Sequence, residues 1–341
     1  MTIIIDNGTA TCKFGIAGEH LPRKTIPTIV KHSSNSHYIG NDCKEDDYNS
    51  ITYPIKKSLI EDWDNMELIW HHILEKELKG NIGGSAVFLT ESINNTKKKR
   101  EGIFEIFFEK FQCPGLNVTN QSVLSLFASG RTSGIVLESG AGLSNAVPIS
   151  NGYAVKNRVV TSELGGDAVT DHLSTLLRKG GFHLEHSIIN QMKENIGILP
   201  LNPEEASNGE YVYVLPDGNE ISVGAKAQMC AEVVFDKSIT DYNEPSITEI
   251  LLNSINLFEN ESRKVFLKNT VVSGGNTMFP NFIPRLKKGI PDSEKFNILA
   301  PEDRINSSWQ GASIFASLEE FKNFLTLKSE YFEKGAASVI K

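Results

Sequence analysis

Two stretches of this sequence end an apolar run on a carboxylate and follow it with a turn of small residues. The first is Ile3-Ile4-Ile5-Asp6, then Asn7-Gly8-Thr9-Ala10-Thr11, with Lys13 on the return. The second is Gly134-Ile135-Val136-Leu137-Glu138, then Ser139-Gly140-Ala141-Gly142, with an apolar return from Leu143 to Ile149. Short apolar runs on either side of a glycine turn read as hairpins. Glycine lets backbone N–H groups approach a ligand closely, and successive N–H groups pointing one way form an anion-binding nest. A carboxylate beside such a nest repels a bare phosphate but suits one carried with a divalent cation. Lys13 adds a point charge for phosphate. A single acid-glycine hairpin is an ordinary turn. Two of them, introduced in the same way, are an internal repeat and predict two similar domains facing each other across a cleft that holds a magnesium nucleotide. A third glycine turn, Gly274-Gly275, joins the run Val271-Val272-Ser273 to a helix beginning near Asn281. A strand-to-helix turn of this kind offers further N–H donors.

The elements that must position these turns follow from periodicity and breakers. Asp62-Trp63-Asp64 opens a helix whose apolar stripe is Met66, Ile69, Trp70, Ile73 and Leu74. Residues 85–90 read as a buried strand, Ile103 to Phe111 as an amphipathic helix, and 121–129 as a shorter helix leading into the second hairpin. Residues 30–49 read as polar loops with a short strand at 37–40. In the second half, Gly165-Gly166-Asp167 starts a helix with the stripe Val169, Leu173, Leu176 and Leu177, ended by Gly180-Gly181. Residues 183–195 and 246–267 read as helices, 210–215 with 220–223 as a hairpin after a turn at Asn208-Gly209, and 311–325 as the last helix. Neighbouring His71 and His72 point about 100° apart on a helix, so they do not share one metal ion. Lys97-Lys98-Lys99-Arg100 reads as a solvated run before a helix.

The 341 residues fit about two domains, and 40% hydrophobic with 22% charged residues fits a globular chain. A formal net charge of -8 argues against a nucleic-acid backbone as direct partner. Cys12, Cys43, Cys113 and Cys230 have no CxxC spacing, which reads as reduced intracellular thiols. No stretch has the length of a membrane span, and no signal peptide is evident.

The ordered segments resemble actin and the actin-related proteins along essentially the whole chain. They are Ile5-Asp6-Asn7-Gly8 through Lys13, Phe14 and Gly18; Tyr53-Pro54-Ile55; Trp63 to Glu67 with Ile69 to His72; Leu89-Thr90-Glu91; Gln121 and Val123 through Gly134; Ser139-Gly140; Val147-Pro148-Ile149 with Gly152-Tyr153-Ala154; Leu215 to Gly218; Val272 to Gly275 with Thr277-Met278; and Ser329-Glu330-Tyr331. The resemblance implies an α/β actin-like ATPase fold, two duplicated RNase H-like α/β domains around a nucleotide cleft, as in Hsp70 chaperones and sugar kinases. It implies a first large lobe of 1–128 plus 307–341, with a small subdomain at 28–53, and a second of 129–306, with a small subdomain at 165–242. It also implies the ligands ATP or ADP with Mg2+ or Ca2+. Asp6 and Glu138 would hold the metal through water, and Asp6, Glu138 and Gln121 would be the catalytic set, with Gln121 positioning the attacking water. Asn7, Gly8, Thr9, Ala10, Thr11 and Lys13 would clasp the phosphates together with Ser139, Gly140, Ala141 and Gly142. Lys193, Glu194, Gly274, Gly275, Asn276, Phe279 and Ile305 would hold the adenosine.

The departures from the family pattern shape the expected function. Where the family has Asp-Ser-Gly-Asp-Gly, this chain has Glu138-Ser139-Gly140-Ala141-Gly142. One carboxylate moves outward by a methylene and the other is gone. Asn157 stands for the histidine expected after Tyr-Ala, Lys56-Lys57 for the one after Tyr-Pro-Ile, and Ile305-Asn306 for a Lys-Tyr pair near the adenine. An amide cannot relay a proton at neutral pH. The loop at 31–41 is too short to reach into a neighbouring filament subunit, and 238–246 is mostly polar. The expectation is a divergent actin-related protein, cytoplasmic and cytoskeletal with a nuclear residence also compatible. It would bind ATP or ADP, hydrolyse it weakly or not at all, and meet actin-like subunits and actin-binding proteins. Rather than self-polymerise, it would cap a filament end through a groove lined by Tyr153 and the helix near Phe321. An active polymerising ATPase is the alternative, and a sugar-kinase-like phosphotransferase a lower one.

Overall fold

The computed structural model describes residues 1–33, 36–43, 51–79, 84–201, 210–215, 218–239 and 242–339. The turn at Asn208-Gly209, and Pro216 and Asp217 of the matching segment 215–218, lie outside the described residues. The chain divides into two compact units, one of 1–133, 149–154 and 306–341, the other of 134–148 and 155–305.

The first unit is built on a six-stranded sheet. Its order is Thr326–Leu327, Gly115–Asn120, Ala86–Glu91, Thr2–Asn7, Thr11–Ile16, Lys24–Pro27. The last three form an antiparallel meander, while Ala86–Glu91 and Gly115–Asn120 run parallel to the first strand and to each other. Ile3, Ile4 and Ile5 are all fully buried because both faces of the sheet are covered. Successive side chains alternate between the faces. Ile3 and Ile5 pack with Trp70, Ile103 and Phe107, while Ile4 packs with Phe88, Leu124 and Trp309.

Asp62 caps the helix Trp63–His71 by accepting the Asn65 N–H. This helix and Lys97–Glu105 each widen at the C-terminal end, where Leu78 N–H reaches back to Ile73 O and Phe111 N–H to Ile106 O, both at 3.0 Å. The Trp70 and Phe107 rings meet edge to face at 5.0 Å between centroids. The basic run at 97–100 does not precede a helix but forms its first turn, capped by Thr96. Lys99 pairs with Glu61 and Arg100 with Glu91, so half of the run is anchored rather than solvated.

The final helix expected over 311–325 is broken. The structure has Ser307–Ala316, a tight 3₁₀ stretch Glu319–Phe324, and a further helix Lys328–Lys334. The break lets Phe321 turn inward to stack on Phe88 and meet Phe315. Phe321 is 3% exposed, whereas Tyr153 is 77% exposed.

The second unit repeats the plan. Its sheet runs Ser144–Ser150, Gly134–Ser139, Thr270–Ser273, Ile298–Leu299, with the last two strands parallel to Gly134–Ser139 and with Tyr153–Ala154 and Val160–Ser162 both pairing antiparallel with the outer edge of Ser144–Ser150. The strand order is that of the first unit: meander edge, return, first strand, then two parallel neighbours. The helix Gly166–Lys179 covers one face, placing Val169, Leu173 and Leu177 against Ile135 and Leu137. The helix expected over 246–267 is two helices, Ile247–Asn256 and Asn260–Lys268. The chain breaks where Phe258 packs on Phe266, 4.5 Å between centroids. Among the described residues no helix is long and apolar enough to cross a membrane.

In the first unit the helices Gln121–Ala128 and Ser307–Ala316 cross at Gly311, where a Cβ would lie 2.0 Å from Leu124 O. Gly311→Ala must push these helices apart and should lower stability by about 1–3 kcal/mol, read as a lower urea midpoint. An unchanged midpoint would show that the crossing is not tight.

Candidate functional site

In the first unit, Asp6 is buried at the end of its strand. Its Oδ1 accepts from Thr90 Oγ1 at 2.6 Å, Gln121 Nε2 at 2.9 Å and Ser308 Oγ at 3.1 Å. Its Oδ2 lies 3.7 Å from Lys13 Nζ. Gln121 Nε2 also reaches Asn7 O at 3.1 Å, and Gln121 Oε1 has no hydrogen-bond partner among the described residues. The Asn7 amide is held on both sides, Oδ1 by the Trp70 indole N–H at 3.0 Å and Nδ2 on Thr90 O at 3.3 Å.

The turn itself is closed by Gly8 N–H on Thr11 O at 3.1 Å, so tightly that a Cβ on Gly8 would meet that oxygen at 2.5 Å. Thr28 braces the carbonyl side. Its Oγ1 donates to Gly8 O at 2.9 Å and its N–H to Ala10 O at 2.9 Å. The Thr9 and Ala10 N–H groups have no partner among the described residues. Cys12 lies behind this brace with its Sγ 3.4 Å from Thr28 Oγ1, and burial pushes its thiol up to about 11. The tip of the hairpin at Lys57 and Ser58, both in the left-handed region, rests on the turn through Ser58 N–H to Thr9 Oγ1 at 3.2 Å.

The second unit builds the same device from other parts. Glu138 occupies the matching strand position, and Gly140 N–H closes the turn on Leu143 O at 3.0 Å. Gly140 O and Ala141 O are tied back by the N–H groups of Gly166 and Asp167 at 2.9 and 2.8 Å. The Ala141 and Gly142 N–H groups are left without partners among the described residues. Counting from the acid, these are the same two positions as Thr9 and Ala10. The side chains differ. The hydroxyl beside Asp6 is Thr90, whereas the residue beside Glu138 is Ser273, whose buried Oγ has no partner. Asp6 shares one oxygen among three donors, Thr90 among them, whereas the Ser273 hydroxyl donates to nothing.

The remaining expected residues fall as follows. Gly274 sits at φ +96, where a Cβ would lie 2.2 Å from Ser139 O, so it must be glycine to pass the turn. Ile305 lies against Gly275, 3.6 Å from where its Cβ would be. Asn276 Nδ2 donates to Ser139 Oγ at 2.8 Å. Lys193 is buried, and all three of its hydrogens are spent, on Gly166 O, Thr170 Oγ1 and Asn190 Oδ1 at 3.2, 3.0 and 2.7 Å. Burial holds this lysine below its usual range. Glu194 is exposed and takes a bond from Asn190. Phe279 packs on Gly197, where a Cβ would meet its ring at 2.5 Å. Asn157 is exposed on a short 3₁₀ turn. The buried amide of this region is instead Asn145, on the strand returning from the turn, with Thr161 Oγ1 on its Oδ1 at 2.7 Å. Sequence reasoning missed Asn145, Thr28, Thr90 as the partner of Asp6, and Ser308. His72 is buried against Glu77 and His71 is exposed, so the pair shares no ion.

Each turn thus offers two unspent N–H groups next to a carboxylate. This donor set fits an anionic phosphate carried with a hard, oxygen-preferring cation. Among the described residues no cluster of three His, Cys, Asp or Glu forms a direct metal cage.

Asp167, whose N–H braces the second turn, has a carboxyl pushed above its ordinary value by burial, with Asp171 adding and Lys193 and His186 opposing. Between the ordinary and the raised value, the folded chain binds more proton than the unfolded one. Stability therefore falls as pH rises through that window. Asp167→Asn lacks this loss, so its stability relative to wild type should be greatest at pH 7 and shrink as pH falls toward 4. Thermal unfolding of both proteins across that range checks the slope, and an opposite slope would contradict it.

The family model described as Actin matches residues 1–185 and 181–341 of this sequence, a span that takes in both turns and the glycine pair at 274–275. The repeated sheet and the matched turns agree with that assignment: the chain belongs to the actin family.

Proposed function

We propose that this chain binds ATP or ADP with Mg2+ or Ca2+, turns it over slowly or not at all, and serves as a structural subunit of the actin-based cytoskeleton. The observation that carries the nucleotide reading is the matched pair of turns, each with a carboxylate followed at the same spacing by two unspent N–H groups. In this reading Thr9 and Ala10 in one unit, and Ala141 and Gly142 in the other, donate to phosphate oxygens. Lys13 adds positive charge, and Asp6 and Glu138 would hold the cation through water. The bound cation would offset phosphate charge. Gln121, fixed through Nε2, keeps Oε1 to accept from an attacking water. Saturating Mg-ATP should raise the melting temperature by mass action. Lys13→Ala should reduce that rise. An unchanged melting curve for wild type would refute nucleotide binding.

Slow turnover is the reading of the second turn. Ala141 supplies no carboxylate, Glu138 sits one methylene further out, and the amides Asn145 and Asn157 cannot move a proton. The absence of one proton-transfer group costs about 10²–10⁴-fold. Phosphate release should therefore be slower than that of polymerised conventional actin by about that factor. Equal rates measured side by side would reject this.

A capping role rests on one further feature. Strands Val30–Ser33 and Ser36–Ile39 pair antiparallel, down to Ser33 opposite Ser36, so the described residues of this segment are tied into a two-strand ladder. A subunit unable to reach into its neighbour but able to receive one terminates a filament. Substoichiometric protein added to seeded actin assembly should block pointed-end growth and leave the barbed end free. Filaments of the purified protein alone, or no effect at either end, would rule this out.

A further inference from the structure

Two histidines face each other across the paired strands Val30–Ser33 and Ser36–Ile39. The register sets His32 directly opposite His37. Opposite positions of an antiparallel pair hold their Cβ atoms about 4.5–5.5 Å apart on one face. The two rings stand edge to face with 6.0 Å between centroids. Strand alternation puts them on the face that carries the buried Val30 and Ile39, and both histidines are exposed.

A chain of hydrogen bonds fixes which nitrogen of His32 is open. Asn65 Nδ2 lies 2.8 Å from Asp62 Oδ2. An ionised carboxylate only accepts, so the nitrogen of the Asn65 amide must face it and Oδ1 must face away. Asn65 Oδ1 lies 2.8 Å from His32 Nε2. An amide oxygen carries no hydrogen, so Nε2 donates, and the neutral ring keeps its one hydrogen there. His32 Nδ1 is left as a bare lone pair. Asn65 is itself fixed: it is buried in the first turn of Trp63–His71, with its N–H on Asp62 Oδ1 at 3.1 Å. His37 has no hydrogen-bond partner among the described residues, so nothing commits either of its nitrogens.

A carboxylate, an amide and an imidazole in this order form the kind of support that orients a metal-binding histidine. The outer partner holds the N–H, sets the tautomer and raises the basicity of the free nitrogen. A plain tie between strand and helix would account for His32 but gives no role to His37. Two imidazoles on one tetrahedral ion, each nitrogen about 2.0–2.1 Å from it, place their centroids about 5 Å apart. A small turn of the exposed His37 side chain closes the difference from the observed spacing. Neutral ring nitrogens suit Zn2+, Ni2+ or Cu2+, whereas Mg2+ and Ca2+ take oxygen. No third His, Cys, Asp or Glu joins the pair among the described residues, which leaves the other positions of the ion to water.

We propose that His32 and His37 form a two-histidine site for an imidazole-preferring divalent transition metal, with Asn65 and Asp62 as its positioning residues. It uses none of the residues of the two glycine turns. A bound ion clamps the two strands to each other and, through Asn65, to the helix Trp63–His71.

The test uses the full chain without nucleotide, in a buffer containing Mg2+ so that oxygen sites are filled, titrated with Zn2+. Wild type should take up one equivalent of Zn2+ that His32→Gln and His37→Gln both lack. Zinc held elsewhere on the surface is common to all of these proteins and cancels. Both histidines are exposed, so their replacement leaves the fold intact. Asn65→Ala should keep that equivalent but bind it about 10–100-fold more weakly. In hydrogen exchange, Zn2+ should slow the amides of Val30–Ser33 and Ser36–Ile39 in wild type and not in His37→Gln. Wild type that takes up no more Zn2+ than His37→Gln, or exchange that slows equally in both, overturns the site. Asn65→Ala with wild-type affinity overturns the positioning role.

Discussion

A single carboxylate oxygen organises the first unit. Asp6 Oδ1 draws donors from Thr90 on the neighbouring parallel strand, Gln121 at the start of the following helix, and Ser308 on a helix from the far end of the chain, 302 residues away. A buried carboxylate is tolerated only when hydrogen-bonded or paired. The sheet order, the tight helix crossing at Gly311 and the Trp70 bond to Asn7 all serve to bring these donors together. Because the three bonds share one oxygen, the other is turned to Lys13, 3.7 Å away. The arrangement orients the acid as well as holding it.

The second unit keeps the backbone of this device while its side chains have diverged. Both turns close with a bond from the glycine to the residue three further on, and both have their carbonyls tied from behind. In one case the tie is the Thr28 side chain and backbone; in the other it is the first N–H groups of a helix. Backbone geometry is insensitive to which group does the tying, so the nests coincide. The carboxylates do not. The hydroxyl beside Glu138 stands unused, and a separate relay through Ser139 and Ser144 ends on Asn276.

The acid-glycine hairpins were legible in the sequence because everything that defines them is local: an apolar run, an acid, a glycine and their spacing. The repeat of the whole sheet followed from seeing two of them. Thr90 and Ser308 were not legible as partners of Asp6, since nothing local links them to it. The breaks at 257–259 and 317–318 were hidden for a related reason. Helical periodicity continues through both, and only packing of Phe258 on Phe266 and of Phe321 on Phe88 decides against it. Asn157 stands out in the sequence because it follows a recognisable Tyr-Ala pair, whereas the burial of Asn145 on a returning strand leaves no sequence mark.

The discontinuity of the first unit has a consequence for how the chain is made. Its sheet is nearly complete once Asn120 has emerged from the ribosome, yet the face bearing Ile4, Phe88 and Leu124 stays uncovered until Trp309 and Ala312 arrive. The whole second unit is synthesised in between and can close first. Through that interval the early half presents an open apolar sheet face and an acid with one donor still missing. Such a partly built state is prone to stick to its own kind. Closure of the first unit's core is therefore a late event, set by the arrival of the last helices rather than by the completion of the sheet.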